Sequence, residues 1–232
     1  MQFTPLGDRA VTITLGRSID EPTHRLVRAV SAVLDDRRPS GVVDLVPAFA
    51  SVTVHYDPSL VTGEPHLSPY SRIVATLGQL LSDVRSEALA QPRVVRIPVH
   101  YGGELGPDLG DVARRHDLEP DDVVRIHTEG DYLVYMVGFM PGFAYLGGLP
   151  PQIATPRRPS PRTAVPAGTV GIGGQQTGVY PLESPGGWNL IGRTPLRIFD
   201  IARSEPSLLA QGDRVRFRSI SLNEFNRLSE AT

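Results

Sequence analysis

Neither cysteine nor lysine occurs in the 232 residues, so every one of the 23 basic side chains is an arginine. Without cysteine the chain makes no disulfide, no thiolate nucleophile and no Cys-ligated zinc or iron–sulfur centre. Without lysine it has no Walker A phosphate loop, no Schiff-base chemistry and no side chain that carries biotin or lipoate. Any phosphate or carboxylate it handles falls to arginine or to backbone N–H groups. Long apolar runs are missing as well: the stretch YLVYMVGFM at 132–140 is about half a membrane span. The opening residues MQFTPLGDRA lack the basic-then-apolar order of an export signal, and the expectation is a cytoplasmic protein. A formal net charge of −2 supplies no basic field for nucleic acid or anionic lipid, so neither is expected as a partner. The six histidines form no H-x-x-x-H or H-E-x-x-H pattern, and no metal site is expected. There is no paired-carboxylate signature and no G-x-S-x-G elbow.

What is present falls into two halves with different periodicity. Residues 1–88 alternate short strands with amphipathic helices. RAVTITL at 9–15 has period-two apolar positions, and the segment after it has Asp20 as N-cap with Leu26, Val27, Val30, Val33 and Leu34 on one face. Strands GVVDLVPAF and SVTVHY follow, then a second helix on Ile73, Val74, Leu77, Leu80, Leu81 and Val84. The order β-β-α-β-β-α predicts an α+β domain, a small antiparallel sheet with two helices on one face. A linker is expected at 88–92. The second domain, 93–232, opens with a strand and two short helices that begin at Pro107 and Pro120, each with Asp in its first turn. From residue 131 the pattern is DYLVYMVGF, TAVPAGTVGIGG, TGVYPLE, PLRIFD and DRVRFRSI, strand-like runs between Gly/Pro turns, which predicts a β-barrel or sandwich.

Three motifs in this half stand out. GTVGIGGQQTGVYP is rich in glycine, but QQTGVYP cannot open the helix that a dinucleotide loop requires, so it reads as a hairpin. GFMPGFAYLGG sets Phe139 and Phe143 around Pro141-Gly142, a stiff turn because Pro fixes one φ and Gly accepts a positive one. Arg157, Arg158 and Arg162 lie in a proline-stiffened segment, and SPGGWNLIGRTP adds Arg193 beside the chain's single tryptophan, Trp188. Planar guanidinium groups on rigid loops bind carboxylate or phosphate with two parallel hydrogen bonds, and solvated loop charge is the plain alternative. His127 ends a short helix, where it reads equally as a cation favoured by the helix dipole or as a catalytic group.

Taken together, HTEGDYLVYMVGFMPGFAYLGGLP, PRRPSPRTAVPAGTVGIGGQQTGVYPLESPGGWNLIGRTPL and the late GDRVRF resemble the allophanate hydrolase subunit 1 family. Its members include the B subunit of 5-oxoprolinase and the kinase inhibitor KipI. The resemblance runs along nearly the whole chain, through GDRAVTITLG, VPAFASVTVHYDP and IPVHYGGELGPDL. It implies an α+β N-terminal domain followed by a cyclophilin-like β-barrel. It also implies one component of a heteromeric 5-oxoprolinase: with the C subunit it would use ATP and magnesium, held mainly by that partner, to phosphorylate the lactam of 5-oxoproline. The A subunit would then complete ring opening to glutamate. Two alternatives attach to the same family, a KipI-like inhibitor of a sensor histidine kinase and the carboxyltransferase component of a biotin-dependent urea carboxylase/allophanate system. The absent lysine agrees with a chain that carries no biotin of its own. Under this resemblance Trp188 walls a pocket for a small flat ring, and Gly186 and Gly187 bring N–H groups to an oxyanion. Arg193 pairs with a carboxylate or phosphate, His127 serves as acid/base or orienting group, and Phe139, Phe143, Arg157, Arg162 and Tyr180 complete the wall.

Overall fold

A computed structural model describes residues 1–84 and 92–231. The chain divides into two compact units, Met1–Gln91 and Pro92–Thr232. The linker expected at 88–92 lies, except for Pro92, outside the described residues.

The first unit has the expected order: β1 (Gln2–Pro5), β2 (Ala10–Thr14), α1 (Glu21–Asp36), β3 (Val42–Pro47), β4 (Ser51–Tyr56) and α2 (Pro69–Leu80). The strands form an antiparallel sheet in the order β1-β2-β4-β3. Alternation along β2 and β4 turns Val11, Ile13, Val52 and Val54 to one face, where they pack with Val27, Val30 and Leu34 of α1 and Ile73 and Leu77 of α2. Both helices start where the sequence sets a stop. Asp20 accepts the Thr23 N–H at 2.8 Å ahead of Pro22, and Ser68 accepts the Ser71 N–H at 3.1 Å ahead of Pro69, each satisfying a donor that the first turn leaves open.

The second unit is a closed barrel with two helices packed on it. Its strands are β5 (Val94–Tyr101), β6 (Tyr132–Val137), β7 (Ala144–Gly147), β9 (Thr169–Gly173), β10 (Gln176–Val179), β12 (Asn189–Arg193) and β13 (Arg214–Ser219). They run β10-β7-β6-β13-β5-β12-β9, and β9 pairs with β10 to close the ring. Closure leaves no unpaired edge. All neighbours are antiparallel except β5 and β13, which pair in parallel from Arg214↔Val94 to Ser219↔Val99. Ile97, Val99, Val134, Leu146, Val170, Ile172, Ile191 and Val215 fill the interior, with α3 (Leu109–Arg115) and α4 (Pro120–Glu129) packed through Val112 and Val123. A short ribbon of β8 (Arg162–Val165) and β11 (Ser184–Gly186) stands apart from the ring. Helix α5 (Leu222–Glu230) ends the described chain.

Two expectations need correction. PLRIFD at 195–200 is not a strand of the barrel and contributes only an isolated bridge, Phe199↔Ser207. Pro195 and Pro206 flank it, and each removes a ladder donor. The helix expected to open at Pro107 begins at Leu109, and the Asp108 side chain at its head makes no capping bond. The glycine-rich hairpin is present: Gln176 faces Gly173, and Gly174 turns the chain at φ +68°.

Leu77 is fully buried between α2 and the sheet of the first unit. Leu77→Ala is expected to lower stability by about 3 kcal/mol, read as a fall in the urea midpoint with an unchanged slope.

Candidate functional site: an aromatic cleft on the barrel

The lone tryptophan rests on strands from which side chains have been removed. A Cβ at Gly173 would sit 2.4 Å from the Trp188 indole nitrogen, one at Gly178 3.2 Å from its Cζ3, and one at Gly171 3.2 Å from its Cβ. Three glycines of the β9–β10 hairpin thus form a floor that only an aromatic plate fills, and the indole, though carried by an irregular residue between β11 and β12, is 5% exposed. Phe143 and Tyr180 meet it edge to face, with centroids 5.7 and 6.3 Å away, the geometry that ring quadrupoles favour. Tyr145 and Phe139 extend the set, 5.0 and 5.8 Å from Phe143. The Arg157 guanidinium carbon lies 5.9 Å from the indole centroid, within cation–π range. These side chains, with Pro161, Pro185, Gly186 and Gly187, line a cleft of about 260 Å³. That is just under the roughly 300 Å³ at which drug-sized sites begin, so the cleft suits a small molecule.

The turn at its mouth has the expected construction. Phe143 N–H donates to Met140 O at 3.1 Å across Pro141-Gly142, and Gly142 takes φ +78°. A Cβ there would meet Phe199 Cβ at 2.8 Å. Phe139, just before the turn, takes φ +72° and leaves its ring 73% exposed. A bulky residue in the left-handed region costs on the order of 1–3 kcal/mol, and a phenyl ring gains little by standing in water. Both features concentrate at the lip of the cleft.

Behind the wall lies a buried carboxylate that the periodicity of the sequence does not mark. Asp108 accepts from Arg158 Nη1 at 3.0 Å, from Arg162 Nη1 and Nη2 at 2.9 and 2.7 Å, and from the Leu190 N–H at 2.7 Å. In the sequence Asp108 reads as a first-turn helix acid, and only tertiary contact brings PRRPSPR to it. Arg157 makes no ion pair among the described residues.

The structure therefore sorts the candidate residues. Phe139, Phe143, Arg157, Tyr180, Gly186, Gly187 and Trp188 line the one cleft. Arg162 stands behind it, its guanidinium taken by Asp108. Arg193 lines a separate cleft of about 330 Å³ with Arg197, Phe199 and Phe225, and its Nε is held by the Ala167 carbonyl at 2.8 Å. His127 also departs from expectation: it lies in the barrel core, fully buried. The Thr177 hydroxyl donates to Gly171 O at 3.0 Å and so accepts from His127 Nε2 at 2.9 Å, which leaves Nδ1 to accept from Tyr101 at 2.8 Å. Burial lowers its pKa from 6.5 to about 3, so it is a neutral structural imidazole at neutral pH, without access to a ligand. Tyr145, Pro161 and Pro185 join the lining through tertiary contact, with no signal in the sequence.

Within the cleft the donors are few. Burial raises the Tyr180 pKa, partly offset by the Trp188 N–H bonded to its oxygen and by the charges of Arg157 and Arg162, so the phenol keeps its proton. Its hydroxyl packs on Gly186, where a Cβ would approach to 2.4 Å. A neutral O–H and a guanidinium with no ion-pair partner among the described residues thus stand on an aromatic box. No helix of the described residues is long and apolar enough to cross a membrane, and no group of three or more His, Asp or Glu side chains among them is placed to hold a metal ion.

Comparison with known proteins agrees with this architecture. Residues 1–209 match the family described as carboxyltransferase domain, subdomain C and D. A 5-oxoprolinase B subunit of Bacillus subtilis is 44% identical over 99% of this chain and 97% of its own length. Another, of Haemophilus influenzae, is 41% identical over 94% of this chain and 97% of its own. Among solved structures, a conserved uncharacterized protein of Pyrococcus horikoshii is 43% identical, covers 97% of this chain and 100% of that one, and superposes with a TM-score of 0.56.

Two outcomes follow from the geometry. Gly173→Ala is expected to lift the indole off its floor, seen as red-shifted tryptophan emission and a lower melting temperature. The His127 pKa is depressed in the folded state, so between pH 6.5 and about 3 the unfolded chain binds a proton that the folded chain refuses. Stability then falls with falling pH, by about 1.4 kcal/mol per unit in that window. His127→Gln is expected to lose that component, measured as the difference between urea titrations of the two proteins at pH 7 and pH 4.5.

Proposed function

The chain belongs to the carboxyltransferase subdomain C and D family and is homologous along its length to 5-oxoprolinase B subunits, and from this premise we propose that it is the B subunit of an ATP-dependent 5-oxoprolinase. In this reading the cleft over the glycine floor receives 5-oxoproline. The flat lactam ring lies against Trp188, its carboxylate meets Arg157, and the Tyr180 hydroxyl donates to the lactam oxygen. The lactam oxygen would attack the γ-phosphorus of ATP with ADP as the leaving group, and the ring carbon bearing the newly phosphorylated oxygen would then be open to hydrolysis with the A subunit.

Nucleotide and magnesium fall to the C subunit in this proposal. The chain has no lysine, and among the described residues no cluster of acids and histidines forms a metal site. The lip supports a shared cleft: Phe139 holds an exposed ring in a strained conformation, which is wasteful in an isolated chain and useful if a partner covers it. The observation that carries the proposal is the Arg157–Trp188 pair, a cation and a flat apolar surface facing one small cavity.

Reconstitution with the A and C subunits, with glutamate released from 5-oxoproline and ATP as the readout, tests it. Arg157→Met is expected to raise KM for 5-oxoproline by on the order of tenfold or more, since charge-assisted hydrogen bonds contribute about 1.5–3 kcal/mol, while Trp188→Phe lowers turnover less. Wild-type KM and kcat in Arg157→Met would remove the assignment of the cleft.

A further inference from the structure

The three arginines beside the cleft are not equivalent. Asp108 takes Arg158 and Arg162, and Arg157, next to Arg158 in sequence, is left facing the indole. The backbone around Arg157 is pinned from both sides. Asn189 Nδ2 donates to Pro156 O at 2.9 Å, and Arg158 N–H donates to Gly187 O at 2.7 Å. Asp108 is itself tied twice to the residue two beyond Trp188: its N–H donates to Leu190 O at 2.9 Å and its carboxylate accepts the Leu190 N–H at 2.7 Å. One side chain thus joins the segment that carries Arg157 to the strand that follows Trp188.

We infer that Asp108 is a positioning residue for the cleft, which sets the Arg157 guanidinium over the Trp188 ring by clasping Arg158 and Arg162 against the start of β12. The geometry stands independently of what the cleft binds, and its use rests on the function proposed above. Arg158 Nε is buried with no hydrogen-bond partner among the described residues. Such a group costs stability. Two cations on one carboxylate also leave the local charge positive, which favours an anion in the adjoining cavity. Arg93 and Asp213 offer a contrast within the same unit: a comparable pair, bonded at 3.1 and 2.5 Å, whose members do not line the cleft.

Trp188 is the chain's only tryptophan, so intrinsic tryptophan fluorescence reports on this cleft alone. Asp108→Asn and Arg162→Met, the second leaving Asp108 bonded to Arg158 and Leu190, are compared with Arg93→Met. The two clasp variants are expected to show red-shifted emission and several-fold steeper quenching by acrylamide, while Arg93→Met loses thermal stability with emission and quenching unchanged. Folded clasp variants with wild-type emission and quenching would overturn the inference. Should Asp108→Asn fail to fold, Arg162→Met decides it by the same two readings. In the reconstituted enzyme the clasp variants are expected to raise KM for 5-oxoproline more than they lower kcat. A loosened indole with unchanged kinetics would keep the positioning role and remove the proposed use of the cleft.

Discussion

A carboxylate shut away from water is a liability unless its surroundings replace the solvation it has lost. Asp108 receives that replacement from two guanidiniums and a backbone N–H, and the three donors come from two segments that the β8–β11 pairing and the Arg158–Gly187 and Asn189–Pro156 bonds also hold together. The electrostatic requirement of one buried acid therefore helps to fix the proline-stiffened 156–162 segment, and with it the wall of the cleft. Removing one partner would leave the others unmatched, a much larger penalty than the loss of one surface ion pair.

The second constraint is volume. Gly171, Gly173 and Gly178 withhold side chains on one face of a hairpin, and the indole fills the vacancy. A lone tryptophan in a Gly/Pro-rich loop is thus not misplaced core. It is the moulded counterpart of a bare patch of sheet, held edge-on by Phe143 and Tyr180 and left open on the remaining side to the cavity.

Much of the fold was legible in the sequence because local rules governed it. Period-two and period-3.6 patterns place β2, β4, α1 and α2, Asp20 caps as anticipated, and the Pro141-Gly142 turn follows from what those two residues allow. Legibility fails where a residue's role is decided by neighbours distant in sequence. Asp108 reads as a helix-opening acid, but Arg162, 54 positions away, claims it. His127 reads equally as a helix-end cation or a catalytic group, but the barrel closes over it and Thr177 and Tyr101 take both ring nitrogens. Arg193 stands five residues from Trp188 in the chain, yet it follows the alternation of β12 into a different cleft. The aromatic and glycine positions, with Arg157, come together in one cleft, and their shape and ring chemistry are intrinsic to the residue type. Arg162 and Arg193 lie outside that cleft because a guanidinium's place depends on which acid or carbonyl reaches it, Asp108 for the one and Ala167 O for the other.

The parallel seam between β5 and β13 has a bearing on biogenesis. The strand that opens the second unit pairs with one far along the chain, with Arg93 and Asp213 bridging 120 positions. Ring closure is thus a high-contact-order event that must await β13, about 120 positions after β5. Until then, the two strands flanking the gap present bare ladders to the surroundings. A nascent or truncated chain lacking that final strand would remain an open, adhesive sheet, a state in which other polypeptides or chaperones compete for the place that β13 finally occupies.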